Sequence, residues 1–137
     1  MLILVDYKNK VITPCDLKTT GHPEWEFYES FIKWSYSIQA RLYWRLIRNA
    51  LDSDEYFKDF KLLDYKFIVV NRKTLTPLVW DCPFTQARGL LSFGDNEMRD
   101  PMTIGKELNY YLKYNPRVPI GININGTNDL RWWLNKL

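Results

Sequence analysis

From Leu2 to Tyr7 the chain is a run of Leu, Ile and Val, and from Val11 to Lys18 the apolar character resumes after the polar Lys8-Asn9-Lys10. Two short apolar runs about a polar turn predict a β-hairpin. Pro14 has no amide hydrogen for a ladder, so it predicts an edge or a bulge in the second strand. Thr20-Gly21-His22-Pro23 then breaks the strand. Pro23 followed by Glu24 and Glu26 predicts a helix start, because proline fits the first turn and acids suit the positive end of the dipole.

The next pattern is helical from Trp25 to about Leu51, with Phe27, Phe31, Trp34, Ile38, Leu42 and Leu46 three or four residues apart. Ile32, Tyr36, Tyr43, Ile47 and Ala50 fall to the other side of Gln39, which places this amide in a broad apolar arc with Tyr43 one turn along. Lys33, Ser37, Arg41 and Arg48 make the opposite stripe, which reads as a solvated face or as a set of phosphate contacts. An acidic, aromatic linker spans Asp52 to Asp64. Tyr65 to Val70 predicts a strong strand and Pro77 to Cys82 a weaker one. Asp100-Pro101 opens a helix to about Tyr114 that Pro116 stops, and the last residues, LRWWLNKL, predict a short helix capped by Asn128 or Asp129. The order of elements predicts an α/β or α+β fold with a small mixed sheet, in one domain over residues 1–137.

Composition narrows this little. Apolar residues make up 46% and aromatics 16%, enough for a folded core. Six Trp and nine Tyr exceed what a small core needs, which predicts some at a groove or partner surface. The net charge of +3 permits nucleic-acid binding without arguing for it. Cys15 and Cys82 lie far apart, which excludes a disulfide framework or a four-thiolate metal site built from this sequence and points to a reducing cytoplasm. No apolar run has the length of a membrane span, so no membrane association is expected.

The chemistry lies in Asp16-Leu17-Lys18. Residues i and i+2 of a strand share a face about 7 Å apart, so Asp16 and Lys18 point together near the strand end. The carboxylate and the Leu17 carbonyl offer hard oxygens to Mg²⁺ or Mn²⁺. An ammonium beside them can orient a water and stabilise charge on a phosphate under attack. The plainer reading is a solvated acid–base pair at a strand end, since so short a motif recurs by accident. Gln39 likewise has two readings, an amide bonded to the neighbouring strand for packing or a functional group.

DLKTT, then a helix bearing SIQARLY, then a strand such as FIVV, resembles the PD-(D/E)XK nuclease superfamily, in particular its RecB-like phage and prophage exonuclease branch. The likeness covers about Met1 to Val70. It implies a restriction-endonuclease-like core and metal-dependent DNA hydrolysis. Asp16 matches the metal-binding acid, Lys18 the catalytic lysine, and Gln39 and Tyr43 the helix motif that braces the site. Thr19 and Thr20 stand where such enzymes approach the phosphate backbone. Two distant cysteines argue against the iron–sulfur cluster of some relatives.

These nucleases also need an earlier acid on the preceding strand. With a turn at Lys8-Asn9-Lys10, Asp6 lies opposite Val11 or Ile12 and Asp16 opposite Met1 or Leu2. That separates the two acids by ~13–17 Å, too far to share one ion. The expected acid then lies upstream of Met1, with the first helix and strand of the fold, and the chain reads as a fragment or remnant of a nuclease. His22 follows the lysine and does not replace that acid, and Cys15 reads as core filler. Two functions follow. One is a metal-dependent DNA exonuclease-like domain. The other is a catalytically silent module that binds nucleic acid or assembles, with the open sheet edge as a route to a homo-oligomer.

Overall fold

The apolar hairpin forms as its sequence predicts, and the rest of the sheet is built onto its second strand. The computed structural model describes residues 1–114. Strands β1 (Leu2–Asp6) and β2 (Val11–Thr20) pair antiparallel, with Asp6 opposite Val11 and Leu2 opposite Cys15. Asp6 closes the turn by accepting from the Asn9 amide at 3.0 Å and from Asn9 Nδ2 at 2.8 Å. These bonds hold its carboxyl below the usual range.

Three more strands complete the sheet: β3 (Lys61–Leu62), β4 (Lys66–Asn71) and β5 (Pro77–Asp81). The order is β1-β2-β4-β5, with β3 also on β2. Both β3 and β4 run parallel to β2, and β5 returns antiparallel to β4. The sheet is therefore mixed, as expected. β2 is central, so Pro14 is not at an edge, and its pairing with Ile3 lies within an unbroken register. The proline is tolerated for another reason. β3 pairs with Val11 and Ile12, β4 begins at Cys15, and Pro14 falls in the gap between them. A missing amide hydrogen costs no ladder bond there.

The expected single long helix is interrupted. Glu24–Glu26 is a 3-10 turn, followed by α1 (Phe27–Lys33) and α2 (Tyr36–Asp52). Ser35 lies between the helices at φ 51°, a left-handed conformation unfavourable for a residue with a Cβ. This break resets the helix phase. The buried residues of α2 are Ser37, Ala40, Arg41, Ile47 and Leu51, while Leu46 and Trp34 of the predicted apolar stripe are exposed. α1, α2 and the sheet enclose an aromatic core of Phe27, Phe31, Ala40, Tyr65, Phe67 and Val69, joined by Cys82 and Met98. A second cluster of Ile12, Ile47, Leu51, Phe60 and Leu62 lies beside β3. Cys15 is buried, in keeping with a packing role.

A hairpin that the apolar pattern does not reveal follows β5. Strands β6 (Leu91–Phe93) and β7 (Asn96–Met98) turn through Gly94-Asp95, with Gly94 at φ 60°. Glycine reaches that conformation without steric cost. Helix α3 (Pro101–Tyr114) starts where Asp100-Pro101 predicts, and the Asp100 carboxylate accepts from the Met102 amide at 2.8 Å. Met1–Ile104 forms one compact unit and Gly105–Leu137 a second. The predicted stop at Pro116 and the terminal helix lie outside the described residues. Among the described residues, no helix is long and apolar enough to cross a membrane.

Arg41 departs most from expectation. The helical stripe assigned it to solvent and phosphate, yet its side chain is fully buried. Its guanidinium donates to the carbonyls of Ala87, Gly89, Met98 and Arg99 at 2.7–3.3 Å and lies 3.5 Å from Asp100. It ties the β6–β7 region to α2 and is not available to a nucleic acid. Arg45 adds a forked pair with Asp100 at 2.6 and 3.2 Å. Chiefly through Arg45, the Asp100 carboxyl is held well below its ordinary value, against the cost of burial. A carboxyl lowered in the folded state contributes stability above its unfolded pKa of about 4 and loses it as pH falls further. The stability gap between the protein and Asp100→Asn, read from urea midpoints, should be wide at neutral pH and narrow steadily below about pH 4. A constant gap would show that the Asp100 charge contributes nothing.

Candidate functional site

Strand β2 places its even-numbered side chains toward the helices, because side chains alternate along a strand. Asp16 and Lys18 therefore share the face that α2 covers, near the C-terminal ends of the parallel strands β2 and β4. In open sheets that region is where ligands sit. Lys18 Nζ lies 2.8 Å from Asp16 Oδ2. Gln39, in the first turns of α2, bonds both: its Oε1 accepts from Lys18 Nζ at 3.1 Å, and its Nε2 donates to Asp16 Oδ2 at 2.9 Å. An amide can do this because it carries a donor and an acceptor side by side. The three groups form a closed, partly buried triangle. Burial raises the Asp16 pKa, but the bonds from Lys18 and Gln39 outweigh it, so the carboxyl stays below its usual value.

Lys18 has aromatic support that the sequence pattern does not show. Its ammonium lies 4.3 Å from the centre of the Tyr36 ring and 5.8 Å from that of Phe67. A cation over an aromatic face is attracted by about 0.5–2 kcal/mol. Tyr36 precedes Gln39 by three residues, one helical turn away, and that spacing is the signal from which its role could be read. Beneath the triangle, Tyr65 is fully buried, and its hydroxyl completes no hydrogen bond among the described residues. Burial pushes its phenol up to about 12, so it stays protonated at neutral pH. Beside the triangle, Trp34, Tyr36, Gln39, Leu42 and Tyr43 line an open depression of about 390 Å³.

The remaining site candidates separate. Tyr43 borders the depression but makes no hydrogen bond to Asp16, Lys18 or Gln39. Thr20 shares their face, and its hydroxyl accepts from the His22 amide at 3.1 Å. Leu17 and Thr19 are odd-numbered, exposed, and on the other face of the sheet. Arg48 is paired within its own helix, 2.6 Å from Asp52. Asp6 is five residues along the ladder from the level of Asp16, about 17 Å away, as the hairpin register predicts.

The donor set for a divalent cation can be tested against these contacts. Mg²⁺ or Mn²⁺ takes about six oxygens in a near-octahedral shell. Among the described residues, no group of three or more His, Cys, Asp or Glu side chains could hold a metal ion. Asp16 Oδ2 already receives Lys18 and Gln39, and Oδ1 lies 3.2 Å from the Met1 amino group. A lone carboxylate ringed by cationic and amide donors does not fit such an ion. What the arrangement offers by itself is a fixed ammonium, partly exposed and backed by aromatic rings, able to meet an anion. No family model matches the chain, and searches of curated proteins and of solved structures find no match either.

Proposed function

We propose that the chain is a DNA exonuclease-like domain of the PD-(D/E)XK kind, carrying the acid–lysine–glutamine part of a site for phosphodiester hydrolysis. The observation that carries this reading is the closed triangle of Asp16, Lys18 and Gln39. Two of its members are two residues apart on a strand, and the third arrives from a helix 21 residues beyond Lys18. A solvated edge pair needs no such bridge. In this reading Lys18 holds a phosphate oxygen and stabilises the charge that builds under attack. Gln39 fixes the ammonium and keeps the carboxylate turned toward it. A divalent cation, Mg²⁺ or Mn²⁺, needs oxygen donors beyond Asp16 and the Leu17 carbonyl. The part these residues perform unaided is therefore phosphate binding.

A second reading is a catalytically silent module for DNA binding or assembly. It is favoured by the saturated Asp16 carboxylate and by β1, an edge strand whose Leu2, Ile3 and Leu4 are each about half exposed. One experiment separates the two: linear duplex DNA is incubated with the chain, with and without Mg²⁺ or Mn²⁺, and its binding is followed in parallel. Metal-dependent degradation that disappears in Asp16→Asn and Lys18→Ala supports the hydrolase. Salt-sensitive binding without degradation, or a stable oligomer, supports the second reading. A monomer that neither binds nor degrades DNA overturns both.

A further inference from the structure

We infer that the cavity shared by α1, β5 and the β6–β7 hairpin is a binding site for a flat, uncharged aromatic molecule of about two fused rings. This does not rest on the exonuclease-like reading. The cavity measures about 280 Å³ and lies wholly within the Met1–Ile104 unit. Phe27, Phe31 and Phe67 line it from the core, and Phe93 and Met98 from the hairpin. Folded interiors leave few voids larger than a water molecule. An apolar cavity of roughly 150 Å³ stays dry and takes benzene, so one nearly twice as large has room for a second ring.

The walls are held by bonds outside the lining. Trp80 Nε1 donates to the Glu24 carbonyl at 3.1 Å. The turn that carries Phe84 is fixed by Thr85, whose amide donates to the Cys82 carbonyl at 3.0 Å and whose hydroxyl accepts from the Tyr65 amide at 3.3 Å. Arg41 holds both ends of the hairpin segment through the carbonyls of Gly89 and Met98. The walls cannot close on one another without breaking these bonds, so a guest is spared the cost of ordering its site. Tyr28 and Phe93, 51% and 46% exposed, bring the cavity to the surface and give a route of entry.

The lining gives the chemical class. Asp81, whose carboxylate is the one acid in the wall, is paired with Lys66. Burial pushes the Cys82 thiol up to about 12, so it is uncharged at neutral pH. The Tyr28 hydroxyl accepts from Asn96 Nδ2 at 3.4 Å, and the Trp80 N–H is spent on Glu24. A sugar, a nucleotide or an amino acid would leave its polar groups unpaired against such walls. The rings are tilted to one another, by 53° between Phe27 and Trp80, 64° between Phe31 and Phe84 and 59° between Phe84 and Phe93. They therefore offer both faces and edges, which a flat aromatic guest meets in edge-to-face contacts and a saturated chain does not. The sulfurs of Cys82 and Met98 favour an aromatic guest in the same way.

The test is titration of the protein, carrying ¹³C-methyl methionine, with naphthalene, followed by NMR. Met98 lines the cavity, whereas Met1 and Met102 are exposed and lie outside its lining. The Met98 methyl signal should shift saturably while the other two stay in place. Cys82→Leu puts a larger apolar side chain into the cavity and should weaken naphthalene binding roughly tenfold or more. Phe84→Trp, an enlargement on the opposite side of the turn, serves as the second filling variant and should do the same if Cys82→Leu does not fold. 2-Naphthoate, with the same rings and a carboxylate, should bind at least roughly tenfold more weakly than naphthalene. A Met98 signal that does not move, or three methionine signals that move together without saturating, would overturn the site. Unaltered binding in the filling variants would overturn it too. Equal binding of naphthalene and 2-naphthoate would overturn the uncharged class of ligand.

Discussion

Arg41→Ala should destabilise the protein by about 3–5 kcal/mol, read as a lowered urea midpoint at unchanged slope. The side chain is fully buried, and four backbone carbonyls depend on it. Truncation leaves those carbonyls without their donor, weakens the setting of Asp100 and opens a cavity where the long side chain lay. Arg41→Lys should recover only part of the loss, since an ammonium offers three donors from one point where the guanidinium spreads five across a plane. Arg48→Ala is the internal comparison. It comes from the same sequence stripe, but its pair with Asp52 lies at the surface, and its loss should cost no more than about 0.5 kcal/mol. Similar costs for the two would show that the network around Arg41 is not what joins β6–β7 to the rest.

The second large effect is expected at Phe67, the ring around which the aromatic core is arranged. Its centroid is 5.4 Å from Tyr65, 5.6 Å from Phe27, 5.7 Å from Tyr36 and 6.0 Å from Phe31. Phe67→Ala should cost about 3–5 kcal/mol. An apolar cavity of about 280 Å³ already lies against this ring, with Trp80, Phe84 and Phe93 on its other walls. Truncation enlarges that void, and tightly bonded neighbours fill it poorly. Phe67→Leu should retain more than half of the lost stability. If Lys18 meets DNA as proposed, both variants should also bind it more weakly than Phe93→Ala, because the Lys18 ammonium lies over Phe67, whereas Phe93→Ala alters an exposed ring on the far side of the same cavity. Equal DNA binding by all three would mean that Phe67 does not help place the lysine.

Several features were legible because they depend on neighbours in sequence. Alternation and a polar turn define the β1–β2 hairpin and its register, and with it the separation of Asp6 from Asp16. The shared face of Asp16 and Lys18 follows from the two-residue period of a strand. The start of α3 follows from Asp100-Pro101, a carboxylate that can accept from the first amides beside a residue that has none to offer. Gln39 could be picked out because an amide within an apolar helix face needs partners, and the nearest polar groups of the preceding strand were Asp16 and Lys18.

Other features depend on contacts that no local pattern records. The left-handed turn at Ser35 shifts the phase of α2, so the buried face runs through Ser37, Ala40 and Arg41 instead of Leu42 and Leu46. An arginine on a polar stripe looks the same whether water or four carbonyls surround it, and those carbonyls lie 46 to 58 residues further along the chain. Tyr36 lies against the Lys18 ammonium only because α2 crosses the sheet at that point. The sequence by itself determined which chemical groups are present and which near neighbours share a face. Tertiary structure decided which charges are consumed inside the fold and which remain for a ligand, because burial and pairing are set by segments that meet only when the chain has folded.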